Sequence, residues 1–233
     1  MILIENIKSP AVITDPWQYK IADNVFDNAL FTRIVEAAEH LSNYAEDGGN
    51  IRFFLYKAEK LGVDPETIKQ ITQAANKLLE NVDSIVSDFP YQNISKSGYF
   101  TIPHFTVSGN NFTFPIHTDS IQKTLTLAVY VSPQTHTGTR IYNGPTEEQF
   151  ETELEWKPNR AFILAPCKQT ADSGWHTWNS YTGQPRVTLN ISCQRIETLQ
   201  ETMKEFFNED DMSDGIPWVL DQFGQNNLIR NKL

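Results

Sequence analysis

Apolar positions in the first ninety residues return at helical spacing. In "FDNALFTRIVEAAEHLSN" (26–43), Phe31, Ile34, Val35, Ala38 and Leu41 recur every three or four residues and share one helix face. A second stripe, Ile68, Ile71, Ala75, Leu78, Val82 and Ile85, follows Asp64-Pro65, a capping residue and a first-turn proline. It predicts one helix running towards Phe89-Pro90. Both stripes need an apolar surface to cover.

From Asn93 the texture changes. Runs of β-branched and aromatic residues are cut by "SGNN" (108–111), "TGT" (137–139), "NGP" (143–145), "KPN" (157–159), "DSG" (172–174) and "TGQP" (182–185). The runs 98–107, 112–119, 123–132, 138–142, 152–157, 160–166, 173–178 and 185–194 predict about eight strands. That number and spacing suit a mainly β, two-sheet jelly roll with the N-terminal helices backing one sheet. The expected organisation is a single domain: a helical support region (1–92), a jelly-roll core (93–195), and a short amphipathic helix in "ETLQETMKEFFN" with a tail (196–233). Trp218, Val219, Leu220 and Phe223 in the tail are too few to stand alone, so they are expected to pack on the body or on a second copy, the route to a homodimer.

With 233 residues, 39% of them hydrophobic, the chain can bury one sizeable core. A formal charge of −10 argues against nucleic acid as a partner, because that affinity rests on Lys and Arg neutralising phosphates. Nowhere does the sequence approach the ~18 apolar residues of a membrane span, and the first residues lack a basic region followed by an apolar one. The expectation is a cytoplasmic protein without membrane association. Cys167 and Cys193 then read as reduced thiols used as small apolar residues, not as nucleophiles.

The candidate chemistry lies in "PIHTD" (115–119), "GWHTW" (174–178) and "QPRVTLNIS" (184–192). On a strand spanning 112–119, His117 and Asp119 would share a face and reach one point. His176 from a distant strand would complete two imidazoles and a carboxylate, a facial set that leaves three positions of an octahedron open and suits catalytic Fe(II). His40 in a helix and His136 in the turn-like "QTHTG" read as structural or solvated, and His104 in "TIPHFTV" as a packing residue with a lesser claim to contact substrate.

His117-Thr118-Asp119, His176 and Arg186, ten residues past His176, resemble the iron and co-substrate motif of the 2-oxoglutarate and Fe(II)-dependent dioxygenases, in particular the prolyl-4-hydroxylase-like branch. The resemblance covers about residues 95–195 and implies a double-stranded β-helix. It also implies Fe(II) on His117, Asp119 and His176, with 2-oxoglutarate as co-substrate and its distal carboxylate on Arg186. Dioxygen is the oxidant, and ascorbate a reductant that such enzymes can use. The implied reaction couples decarboxylation of 2-oxoglutarate to succinate with oxidation, most often hydroxylation, of a peptide or small-molecule C–H. The strand "RVTLNIS" agrees, since Arg186, Thr188, Asn190 and Ser192 alternate with Val187, Leu189 and Ile191. Its polar face would line the barrel, with a planar guanidinium suited to a carboxylate and Thr188 able to add a hydroxyl donor. Tyr130 matches the position where relatives place a tyrosine against the same carboxylate, and reads equally well as barrel packing.

Gly138 and Gly144 lie where that family turns close to the co-substrate, Arg140 between them reads as solvent-facing, and Trp175 or Trp178 is expected to pack under the His176 imidazole. Segments 43–56, 91–96 and the tail after 208 are expected to select substrate, the first as a glycine-containing lid. The acidic balance favours a neutral or basic substrate. The alternative is a jelly roll or cupin-like protein that binds a metal or ligand without catalysis; it would have no need of Arg186 at that interval.

Overall fold

The computed structural model describes residues 1–166 and 173–206. In chain order, α1 (Ile4–Lys8) and β1 (Tyr19–Ala22) precede α2 (Asn28–Ser42); β2 (Asn50–Phe54) runs into α3 (Leu55–Lys60), and α4 (Pro65–Leu79) and α5 (Val82–Val86) follow. The β region holds β3 (Tyr99–Thr101), β4 (His104–Ser108), β5 (Phe112–Thr113), β6 (Lys123–Ser132), β7 (Arg140–Tyr142) and β8 (Phe150–Glu153). It continues with β9 (Ala161–Leu164), β10 (His176–Thr177), β11 (Asn179–Ser180) and β12 (Arg186–Arg195), and α6 (Leu199–Phe206) closes the described chain. No helix among the described residues is long and apolar enough to cross a membrane.

Both predicted helices start at their caps. The Asp27 carboxylate accepts from the Leu30 N–H and the Asp64 carboxylate from the Thr67 N–H, each worth about 1 kcal/mol against alanine. The second helix is shorter than its stripe. At Asn81 the backbone leaves helical geometry, and the Asn81 side chain donates to the Lys77 carbonyl at 2.8 Å, which ends α4 before a separate α5. Val82 and Ile85 are buried all the same.

The large antiparallel sheet runs β1-β9-β6-β12-β4-β2, with β3 also paired to β12. Twelve strands stand among the described residues where about eight were expected, and two of the additions come from the region read as helical support. β1 pairs with β9 (Tyr19↔Leu164) and β2 with β4 (Asn50↔Ser108), so the sheet draws its two outer strands from the first 92 residues. Four or five residues are too few for a readable period; pairing makes these strands.

β2 also takes up part of the segment expected to act as a lid. Only 43–49 of that segment is loop, and it is fastened: Gly48 N–H donates to Asn110 O at 2.6 Å and Gly109 N–H to Gly49 O at 2.9 Å. A Cβ on Gly109 would lie 1.7 Å from the Glu46 carbonyl oxygen, so loop and turn meet backbone to backbone.

The alternation in β12 sorts the two faces. Val187, Leu189, Ile191 and Cys193 join Leu127, Val129, Phe105 and Ile163 in the core beneath α2 and α4, where Ile34, Leu41, Ile71 and Leu78 meet them. Cys193 is wholly buried there and burial pushes its thiol far up, so it acts as a small apolar residue; Cys167 lies outside the described residues. Across the sheet, Tyr130, Phe162 and Leu164 pack with Trp17, Tyr19, Leu154, Trp156 and Ile141. Ile141 belongs to a second sheet, β10-β7-β8, with the β11-β5 pair beside it. Two facing antiparallel sheets give the mainly β jelly-roll architecture, with α6 where the short C-terminal helix was expected. Trp218 to Phe223 lie outside the described residues.

Candidate metal centre

His117 and His176 meet through the backbone. β5 pairs antiparallel with β11, and Phe114 N–H donates to Trp178 O at 2.9 Å. Pro115 has no N–H, so the ladder skips and resumes where His117 and His176 exchange hydrogen bonds of 3.1 and 2.9 Å. The two imidazole centroids are 4.3 Å apart. The strand expected over 112–119 therefore stops short of Asp119. What positions that carboxylate is Lys123, the first residue of β6, whose Nζ donates to Asp119 Oδ1 at 2.7 Å. One ligand atom from each of His117, Asp119 and His176 lies within 4.8 Å of the others.

Both histidines hold the tautomer that a metal ligand needs. His117 Nδ1 lies 3.0 Å from Pro115 O and His176 Nδ1 2.8 Å from Gly174 O. A carbonyl only accepts, so each Nδ1 carries the proton and each Nε2 keeps its lone pair. Burial, and then the neighbouring His176, push His117 down to about 3, and burial moves His176 the same way, so both rings are neutral at pH 7. Burial alone would raise Asp119, but the Lys123 ammonium foremost among its neighbours outweighs it and holds the carboxyl well below the usual range. Asp119 Oδ2 is buried without a hydrogen-bond partner. An ionised, buried, unpartnered oxygen beside two imidazole lone pairs is costly alone and is satisfied by a cation, so this donor set fits a divalent metal.

Arg186 opens β12 and is 3% exposed. Its Cζ sits 5.0 Å from the Trp156 ring centroid and 5.5 Å from those of Tyr130 and Trp178, a box of three aromatic faces. Its Nε has no partner, no described carboxylate bonds it, and burial pushes the guanidinium down to about 10. Thr188 is buried two residues along, and its Oγ1 accepts from Asn190 Nδ2 at 3.1 Å. The triad, Arg186, Thr188 and Asn190 line one cavity of about 330 Å³.

Tyr130 is placed differently from a carboxylate donor. Its hydroxyl donates to Thr139 Oγ1 at 2.8 Å and accepts the Thr139 N–H at 3.1 Å, while its ring stacks on Trp156 at 4.5 Å. The hydroxyl's one proton is committed, and the ring walls in Arg186. His176 packs against Phe162 and Trp17, at 5.6 and 6.3 Å, not against its sequence neighbour Trp178. Trp178 instead lies 5.9 Å from His117, stacks on Phe114 at 4.1 Å, and faces Arg186.

Arg140 turns away from the cavity onto Glu147 at 3.1 Å and over Phe150. Gly138 answers to packing: a Cβ there would fall 1.6 Å from Leu154 O, and one on Gly144 would meet the Gln149 side chain. His40 bonds Leu61 O, and His136 is buried near Ser180 and Trp156, both structural. His104 lines the cavity. Sequence reasoning missed Lys123, Trp156 and the β2 residues Asn50 and Arg52, which also line or enclose the cavity. Asp119 and Lys123 stand four apart, but outside a helix that spacing carries no signal.

No protein-family model matches the sequence, and no curated protein matches it. Solved structures do match in fold. A Pseudomonas putida prolyl-4-hydroxylase is 10% identical with a TM-score of 0.51, over 82% of this chain and 96% of its own. A viral collagen prolyl hydroxylase from Paramecium Bursaria Chlorella virus-1, solved as a 2OG complex, is 13% identical with a TM-score of 0.52, over 78% and 99%. The non-haem α-ketoglutarate-dependent epimerase SnoN from nogalamycin biosynthesis is 11% identical with a TM-score of 0.51, over 76% and 78%. At such identities the likeness is one of fold.

Proposed function

We propose that the chain is an Fe(II)- and 2-oxoglutarate-dependent dioxygenase, a hydroxylase of the prolyl-4-hydroxylase-like type acting on a peptidyl or small-molecule C–H. The observation that carries this reading is Arg186: a buried guanidinium without a carboxylate partner, in the same cavity as two neutral imidazoles and an orphaned carboxylate oxygen. A protein that only held a metal would have no reason to bury that charge, which costs several kcal/mol unless an anion answers it.

His117, Asp119 and His176 would hold Fe(II), which when bound supplies the activation of dioxygen and of the keto acid. Arg186 grips the distal carboxylate with its planar fork of donors, and the aromatic box keeps water from competing for them. Thr188 lies one step along the same face, where its hydroxyl adds a neutral donor. Gripping the far end sets the angle at which the keto acid meets the metal, which is an orientation effect. The balanced outcome is one dioxygen consumed, carbon dioxide and succinate released, and one oxygen atom delivered to substrate. The neighbours described as prolyl hydroxylases support a peptide substrate and the epimerase a small molecule.

The test is iron-dependent succinate formation from 2-oxoglutarate, with ascorbate as reductant, in the presence of candidate peptides or cell extract. A matched mass gain of one oxygen in a component of the mixture is expected. Metal binding without succinate from any substrate or from the uncoupled reaction leaves the non-catalytic jelly roll as the better reading.

A further inference from the structure

Lys123 is a cation in a place that lysine rarely occupies. Its side chain is 14% exposed, its backbone is fixed at the start of β6 by an N–H bond to Ser120 O, and its ammonium lies 2.7 Å from Asp119 Oδ1. Asp119 is 10% exposed and its other oxygen, Oδ2, has no partner. The two oxygens of one carboxylate are thus assigned unequally: one is occupied, the other available.

We propose that Lys123 is a positioning residue that restricts Asp119 to ligation through Oδ2 and thereby keeps a coordination position open for the keto acid. The inference rests on the metal reading above. A free carboxylate can chelate a cation through both oxygens, and one oxygen claimed by an ammonium cannot join in without losing a short charge-assisted bond. Three protein ligands on an octahedral metal leave three positions, two for a chelating keto acid and one for dioxygen. There is none to spare, so two-oxygen ligation by Asp119 would compete with the co-substrate.

The ammonium also acts on the metal itself. It repels a cation held a few ångströms away and draws electron density from the carboxylate, both of which weaken metal binding. Lys123 therefore trades metal affinity for co-substrate access, and the two effects have opposite signs.

That opposition supplies the test, read by binding with redox-inert Mn(II) rather than by turnover. Lys123→Met, similar in length and uncharged, is expected to bind Mn(II) about tenfold more tightly than the parent, while the Mn(II)-loaded variant binds 2-oxoglutarate about tenfold more weakly. Lys123→Gln, which keeps a donor and loses the charge, is expected to recover 2-oxoglutarate affinity and stay tight for Mn(II). Lys123→Arg should return both values towards the parent. Should Lys123→Met fail to fold, the glutamine variant carries the test, since tight Mn(II) with parental 2-oxoglutarate affinity has no other account here. A purely structural lysine would lose both affinities together, and that result, or unchanged 2-oxoglutarate affinity in a folded Lys123→Met, overturns the proposal. Failure of the underlying reading looks different: the parent protein would then show no Mn(II) binding that His176→Ala abolishes.

Discussion

Arg186→Met tests the functional reading at its centre, because it separates what the guanidinium does for a ligand from what it does for the fold. Methionine keeps much of the stem that packs among Trp156, Tyr130 and Trp178 and removes the charge. If the charge awaits a carboxylate, its loss removes a bidentate, charge-assisted contact worth about 1.5–3 kcal/mol, or ten- to a hundredfold in affinity at 1.4 kcal/mol per decade. The upper end applies here. The guanidinium is 3% exposed and its Nε is unpartnered, so its desolvation is already borne by folding and little is lost again on binding. The Kd of 2-oxoglutarate on Mn(II)-loaded protein, by calorimetry, should rise about a hundredfold, with Mn(II) affinity of the apo protein within about twofold of parent. Stability should move the other way, since exchanging an unpaired buried charge for an apolar side chain is commonly neutral or stabilising by ~1–4 kcal/mol. The urea midpoint should hold or rise. A fall in the midpoint, or Mn(II) lost together with 2-oxoglutarate, would mean that Arg186 is a structural cation and would refute the reasoning.

Other outcomes follow from the same geometry. Alanine at His117, Asp119 or His176 should each abolish iron-dependent succinate formation and weaken Mn(II) binding at least a hundredfold, while His136→Ala leaves Mn(II) affinity unchanged; a triad variant with near-parental binding would break the assignment. His104 is pushed down to about 3, by burial first and then by Arg52, so the unfolded chain takes up a proton between about pH 6.5 and 3 that the folded chain refuses. Its contribution is whole above about pH 6.5 and lost as pH falls, and apo His104→Gln should lose less stability than the parent between pH 7 and 4.5 in urea titrations. Gly138→Ala places a Cβ 1.6 Å from Leu154 O and should lower stability by about 1–3 kcal/mol through backbone displacement. Parental unfolding of that variant would show that the approach is looser than the geometry implies.

The sequence by itself determined whatever depends on local period and short spacing. The two-residue alternation in "RVTLNIS" put Arg186, Thr188 and Asn190 on one face and Val187, Leu189 and Ile191 on the other, because pleating allows no other sorting once one face is buried. The cap at Asp64 was legible because an N-cap bond reaches only three residues along and a first-turn proline follows it, whereas the Asp27 cap was seen only in the structure. His117, Asp119, His176 and Arg186 were legible as a set because the interval from His176 to Arg186 and the His-x-Asp step coincide in one chain. Tertiary structure decided what depends on partners far along the chain. β1 and β2 exist because β9 and β4 offer unpaired edges, and four or five residues carry no period of their own. The proline at 115 breaks the strand that was to carry Asp119, and a lysine at the head of the next strand takes over its placement. Tyr130 became a wall when Thr139 took its proton, and Trp178 went to His117 rather than its neighbour His176. In each case the decisive contact joins groups whose proximity is created by sheet pairing and not by chain order, and a linear pattern cannot encode which of several chemically competent partners will be nearest.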